Sequence, residues 1–337
     1  MPTGVTVSQS GRMFLCHPRW GLPMPATLVE LRDGERVPYP NQNWNSPSGD
    51  ADAGAFVSLQ AIVVDAFDRL WAMDTGAPKF QPTLPGGPKL VCIDLATDQV
   101  VQTITFPADV ALPTSYLNDV RFDLSRGSAG AAFSTDSSAV GPNGIVVIDL
   151  ATGESWRRLH DHPSTKALPQ HDFWPIVEGN PFPTPVTIGS DGIAISADGK
   201  RLYYCPLASR RLWSVSVDAL VDRPLSDDDV AETVVDEGDK GTGSDGLETD
   251  DAGNIYLTSY EHNALLRRTP DGRFETVAQD PRLLWPDTLS AAPDGYLYLT
   301  ANQVHRHPFF SGGIDRRLKP HCWLFRMAIN ARPVRLR

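Results

Sequence analysis

The stretch Gly243-Ser244-Asp245-Gly246-Leu247-Glu248-Thr249-Asp250-Asp251-Ala252-Gly253-Asn254-Ile255-Tyr256-Leu257-Thr258 decides the fold, because its pattern recurs five more times along the chain. A polar residue opens a short alternating run, a second polar residue follows five positions later, and an Asx/Gly turn leads into a hydrophobic run headed by an aromatic. Alternation on either side of such a turn is the sequence form of a two-stranded hairpin.

The same frame runs from Thr3 to Ser8, Gln60 to Asp65, Asn118 to Asp123, Asp191 to Ser196, Asp245 to Asp250 and Asp287 to Ala292. The aromatic follows the second anchor by six residues in four copies (Phe14, Trp71, Tyr256, Tyr298), by seven at Tyr203 and by ten at Phe133. Added length stays in the turn, where a hairpin tolerates it. First anchors lie 57, 58, 73, 54 and 42 residues apart, enough for four short strands each, so the repeat predicts a six-bladed all-β propeller with four-stranded antiparallel blades. Outer strands are expected in Lys89–Leu95 with Val100–Phe106, Gly144–Leu150 with Trp156–Leu159, and Ala264–Arg268 with Phe274–Val277. Blade six is expected to end in Trp323–Met327 and Val334–Leu336.

Although 337 residues would suit two domains, the repeat spans the chain from Thr3 onward and predicts one. A 41% apolar content with 29 Pro and 27 Gly gives a turn-rich chain with a large core and no apolar run of the roughly 20 residues that a membrane helix needs. The net charge of -11 argues against nucleic acid and anionic membranes as partners and leaves small neutral or cationic molecules. Met1-Pro-Thr-Gly-Val enters the first repeat at once, which suggests a cytoplasmic protein, or a secreted one if an export segment has been removed. Oligomeric state is not legible. Cys16, Cys92, Cys205 and Cys322 fall in different blades and read as buried thiols rather than disulfides.

In a propeller the first strand of each blade lines the central channel and begins at the rim where the second strand ends. One face should therefore collect Thr3, Gln60, Asn118, Asp191, Asp245 and Asp287 from strand starts, and His17, Asp74, Asp136, Ser259, Tyr260 and Asn302 from strand ends. Five carboxylates aimed at one funnel repel one another, which raised pKa values or a bound cation relieves. Oxygen donors of this kind suit Ca²⁺ or Mg²⁺. The competing reading is that these residues cap strand ends, and for Asp74, Asp136 and Asp287 capping is the better account.

The runs Tyr116-Leu-Asn-Asp-Val-Arg-Phe-Asp123, Gly144 to Trp156 with His162-Pro-Ser164, and Leu70-Trp-Ala-Met-Asp-Thr-Gly76 resemble the major royal jelly protein and yellow family. Gly4, Phe14, Pro18-Arg-Trp20, Ala26-Thr-Leu28 and Pro38-Tyr-Pro40 fit its opening. That resemblance implies a six-bladed propeller and admits small-ligand binders, including amine and sterol binders, and proteins linked to dopachrome conversion. The hairpin register is also similar to the gluconolactonase and regucalcin group. This likeness implies divalent-metal ligands at Asn118, Asp191 and Asp245, with Asp191 in place of the usual Asn and Thr3 in place of the blade-one Glu.

These readings converge on a small-molecule site at the channel mouth. The expected activity is metal-assisted hydrolysis of a sugar-like or aromatic lactone, with Asp245 as the residue that orients or deprotonates water. Gln60, Asp74, Asp136, Tyr260, Asp287, Asn302 and His305 are expected to bind substrate. The alternatives are a non-catalytic binder of small amines or aromatics and a dopachrome-type isomerase. His17, His171 and His305 could supply acid or base groups from the loops, and Trp20, Trp44, Trp174, Trp285 and Phe309 could stack on a flat ring. Gly241-Thr-Gly-Ser-Asp-Gly246 matches a dinucleotide fingerprint but precedes a strand, so it carries no phosphate site. Absence of a Gly-x-Ser-x-Gly elbow counts against a serine hydrolase.

Overall fold

The computed structural model describes residues 1–46, 54–167, 173–182 and 184–337. His171 lies outside the described residues. Six antiparallel sheets form the blades of a β-propeller. Their first strands are Gly4–Val7, Leu59–Val64, Leu117–Asp123, Ser190–Ile195, Leu247–Thr249 and Pro286–Ala291, which begin at or within two residues of the anticipated anchors. Blades one to five have four strands each, in simple up-and-down order, and blade six has three.

In five of the six repeats the second anchor caps the turn that follows it, its side chain accepting backbone N–H groups there. Asp65 accepts hydrogen bonds from the Phe67 and Arg69 amides (2.9 and 3.0 Å) and from Trp71 Nε1 (2.8 Å). Asp250 does the same for the Ala252 and Asn254 amides (3.0 and 2.9 Å), while the Tyr256 hydroxyl donates to it at 3.0 Å. The aromatic six residues on therefore fills the space between blades and returns its polar tip to the carboxylate that made the turn. Ala292 cannot do this, and in blade six Asp294 takes over, accepting from the Tyr296 amide (3.2 Å) and the Tyr298 hydroxyl (2.7 Å).

Apolar clusters lie between successive blades, including Trp71, Leu90, Cys92, Val120 and Ile148 between blades two and three. Nearest the axis the blades approach too closely for side chains. A Cβ on Gly192 would stand 2.2 Å from Asp245 O, and one on Gly246 2.2 Å from Asp287 O. The glycines after Asp191 and Asp245 thus let adjacent inner strands touch and draw their carboxylates together. Ring closure uses the same layer, with Thr288 Oγ1 donating to Thr3 O, Asn302 Nδ2 to Pro2 O (2.9 Å) and Thr3 Oγ1 to Gln60 O (2.8 Å).

Two expectations require correction. Val334–Leu336 is not a blade-six strand: the segment crosses beneath the ring, where Asp251 N donates to Arg332 O (2.9 Å), Leu124 N to Leu336 O (3.1 Å), and Val334 and Leu336 pack against the blade three and four core. These residues cover the lower mouth of the channel over a cavity of about 80 Å³. Cys322 is half-buried rather than a core thiol, although the other three cysteines are buried and all four are free. The connection between the third and fourth strands of blade four holds two short helices, Val217–Val221 and Asp227–Ala231, which bury Val217, Leu220 and Val230. Among the described residues no helix is long and apolar enough to cross a membrane.

Candidate functional site

At the upper mouth, where inner strands begin, a cavity of about 710 Å³ is lined at its floor by Gln60, Asn118, Asp191, Asp245 and Asp287. Five of the six predicted strand starts therefore meet there. Thr3 does not, because its hydroxyl is spent on the Gln60 carbonyl. Asn118 Nδ2 donates to Asp191 Oδ1 at 2.8 Å and to Ser137 Oγ at 3.1 Å, leaving its own Oδ1 as the outward oxygen. Asp245 Oδ2 accepts from Trp285 Nε1 at 2.6 Å. Asp287 accepts from Asn302 Nδ2 and from Thr288 Oγ1 (3.0 Å).

None of the described residues lining this cavity is Lys, Arg or His. Burial, assisted by repulsion from Asp119, pushes the Asp245 carboxyl up to about 7 against the opposing Trp285 bond. Asp191 is raised by burial and then by Asp245, Asp119 and Asp287. Asp287 is raised by burial and then by Asp245 and Asp119, with Asn302 and Thr288 opposing. The floor is a buried acidic cluster with no protein countercharge facing the cavity.

Strand ends behave differently. Asp74 is fully buried, accepts from the Val57, Ser58 and Gly76 amides (2.6, 2.8 and 3.0 Å) and lies 3.5 Å from Lys89 Nζ. Asp136 accepts from Ser115 Oγ (2.5 Å), the Tyr116 amide (2.9 Å) and Arg157 Nη1 (2.8 Å). Both are structural caps and neither lines the cavity. His17 is buried, has no hydrogen-bond partner for either ring nitrogen among the described residues, does not line the cavity, and is driven well below the usual histidine pKa by burial. Asn302, Tyr260 and His305 also sit behind the wall. The Tyr260 hydroxyl donates to Leu207 O (2.6 Å) and its ring stacks on Trp285 at 4.2 Å and 7°. His305 stacks on the other side of Trp285 at 5.7 Å and 19°, with Nε2 3.0 Å from Glu178 Oε2.

Trp285 is thus clamped between two rings, in a left-handed backbone conformation (φ 54°), with its N–H fixed on Asp245. Glu178, on the turn between Ile176–Val177 and Asn180–Pro181, also binds Arg306 (Nη2–Oε1 2.6 Å). This ion pair ties the insertion before blade four to the insertion in blade six. Among the anticipated loop aromatics, Trp20, Trp285 and Phe309 line the cavity, whereas Trp44 packs on Phe56 and Trp174 faces solvent.

Sequence reasoning missed the centre of the aromatic wall. Phe80 stacks between Trp20 (4.9 Å, 28°) and Tyr116 (5.3 Å, 24°) and meets Phe309 at 4.2 Å. Trp20 Nε1 donates to the Tyr116 hydroxyl (2.7 Å), which donates to Gln60 Oε1 (2.9 Å), so the wall is anchored to the floor. An aromatic between prolines, Pro78-Lys-Phe-Gln-Pro82, just after a strand end was the available signal.

The sequence profile described as Major royal jelly protein matches residues 57–316. Protein yellow of Drosophila subobscura is 29% identical over 245 residues, covering 68% of this chain and 41% of that protein; protein yellow of Drosophila melanogaster is 28% identical over 246 residues, covering 68% and 43%. The match spans less than half the length of these relatives. Solved structures of similar fold include a calcium-binding regucalcin of Agrobacterium tumefaciens (TM-score 0.62, 16% identity, 100% of this chain and 94% of that one). A gluconolactonase of Xanthomonas campestris has a TM-score of 0.55 and 13% identity, covering 89% and 82%.

Proposed function

Because the chain belongs to the major royal jelly protein family and carries an uncompensated acidic floor, we propose that it is a small-molecule hydrolase of lactone-like esters assisted by a divalent cation. The observation that supports this most is the meeting of Asn118, Asp191 and Asp245 from three blades at the base of one cavity. Among the described residues no three His, Cys, Asp or Glu side chains form a metal cluster by themselves, so a site here depends on the Asn118 amide oxygen beside the two carboxylates. That all-oxygen set fits Ca²⁺ or Mg²⁺. The fold likeness to regucalcin and gluconolactonase is consistent with it.

A cation held there would act as a Lewis acid toward a carbonyl. Asp245, with Oδ2 engaged by Trp285, is left with Oδ1 to take the proton of an attacking water. Water oxygen adds to the lactone carbonyl carbon as its proton passes to Asp245, the ring C–O bond breaks, and Asp245 returns that proton to the leaving alkoxide to give the hydroxy acid. The aromatic wall from Trp20 to Phe309 holds the ring of the substrate and keeps bulk water from it.

Proton release on a lactone panel, with Ca²⁺ or Mg²⁺ added and then chelated, tests this reading. Cation-dependent turnover lost in Asp245→Asn supports it, and turnover that survives that substitution overturns Asp245 as base. The second reading, a binder of small amines or aromatics, is favoured by the same acidic floor beneath stacked rings. Tight amine binding without turnover or cation requirement would establish it instead.

A further inference from the structure

Among the described residues, blade six lacks a strand that each of the other five blades has. Its third strand, Trp323–Ala328, is consequently the outer edge, while third strands elsewhere are covered by a fourth. Lys89–Asp94 and Gly144–Asp149 are buried at five of six positions, and Trp323–Ala328 at none. Trp323 is 37% exposed, Leu324 packs toward blade one, and Phe325 and Met327 pack toward blade five, each only half-buried. Ile329 N donates to Gly295 O, and bonding alternates along an antiparallel pair. Leu324, Arg326 and Ala328 therefore turn their N–H and C=O groups outward, toward the place a fourth strand would occupy.

Charge identifies what fits there. Residues 316–328 contain Arg316, Arg317, Lys319 and Arg326 and no Asp or Glu, in a chain of net charge -11; Arg317 is paired with Asp315, and the others have no such partner among the described residues. This basic stretch runs into the open strand, carries Arg326 on it, and lies beside Arg36, whose Nη2 reaches Cys322 Sγ at 4.0 Å. Fourth strands elsewhere show the pattern required: along Gln99–Thr105, alternate residues face solvent.

We propose that the outer edge of blade six is a strand-accepting site for an extended acidic peptide of a partner protein. The peptide pairs antiparallel with Trp323–Ala328, places every second, apolar side chain on the face of Trp323, Phe325 and Met327, and turns its intervening carboxylates to the opposite face, which carries Arg326. Edge addition of this kind draws affinity from main-chain hydrogen bonds and selectivity from alternate side chains. The site is independent of the channel mouth.

The test titrates the full chain with a seven-residue peptide alternating valine and glutamate and with its valine and lysine counterpart, while following amide exchange at Leu324, Arg326 and Ala328. The glutamate peptide should protect those three amides and bind about tenfold or more tightly than the lysine peptide at low salt, a gap that closes as salt rises. Arg326→Glu should reduce that preference without unfolding the chain, and Arg326→Pro should abolish protection. Absence of protection by either peptide overturns the proposal, as does equal affinity for both. Protection of the same amides by concentration-dependent dimerisation of the chain alone would also overturn it, assigning the edge to a second copy.

Discussion

Asp74 and Asp136 at strand ends, and Asp191, Asp245 and Asp287 at strand starts, are carboxylates buried near the same rim, and they have opposite fates. The first two are each held by backbone amides and a basic side chain, Lys89 or Arg157. The other three face a cavity whose described lining contains no cation, and all three carboxyls are raised by burial, with Asp245 adding to the shift of Asp191 and Asp287 and Asp119 to that of all three. Compensated charge makes a scaffold, whereas uncompensated charge makes a site that a ligand or cation must complete.

The sharpest way to break this contrast is to remove one carboxylate from each group. Asp136→Ala strands Arg157 and the Tyr116 amide in the interior and should cost roughly 3–5 kcal/mol in urea unfolding. Asp245→Asn should do the reverse. The folded Asp245 carboxyl titrates near 7, above its unfolded value, so between about pH 4 and 7 the native chain binds more protons and loses stability as pH rises. Relative to wild type without added divalent ions, Asp245→Asn should flatten that decline by on the order of 3 kcal/mol at pH 8. Millimolar Ca²⁺ or Mg²⁺ should restore wild type and leave the variant unchanged, as thermal unfolding would reveal.

Smaller effects sharpen the comparison. Trp285→Phe keeps the stack on Tyr260 and deletes the N–H held by Asp245, so cation affinity measured by calorimetry should fall about tenfold, near 1.4 kcal/mol. Phe309→Ala removes one face of the Phe80 contact at the exposed rim and should weaken aromatic ligands by about 0.5–1 kcal/mol in a fluorescence titration, without altering cation binding.

The propeller was legible because the polar anchors and the aromatic that answers them obey one spacing dictated by a capped turn, as Asp65 with Trp71 and Asp250 with Tyr256 demonstrate. The floor was legible for the same reason: equal register puts Gln60, Asn118, Asp191, Asp245 and Asp287 at equal height. Asp74, Asp136 and Asp287 were read both as caps and as substrate ligands; Asp287 lines the cavity, whereas Asp74 and Asp136 are caps whose basic partners lie in the third and fourth strands, beyond the repeat that the sequence displays. Even so, the Asp74–Lys89 pairing follows directly from hairpin register. Phe80 and the path of Val334–Leu336 escaped because neither belongs to a repeat, so periodicity says nothing about them.

The terminal strap across the underside turns the axial tunnel into a blind alley. Whatever enters must back out past the same rings, so Phe80, Phe309 and the Glu178–Arg306 clasp govern how long a guest stays as well as which guests are admitted.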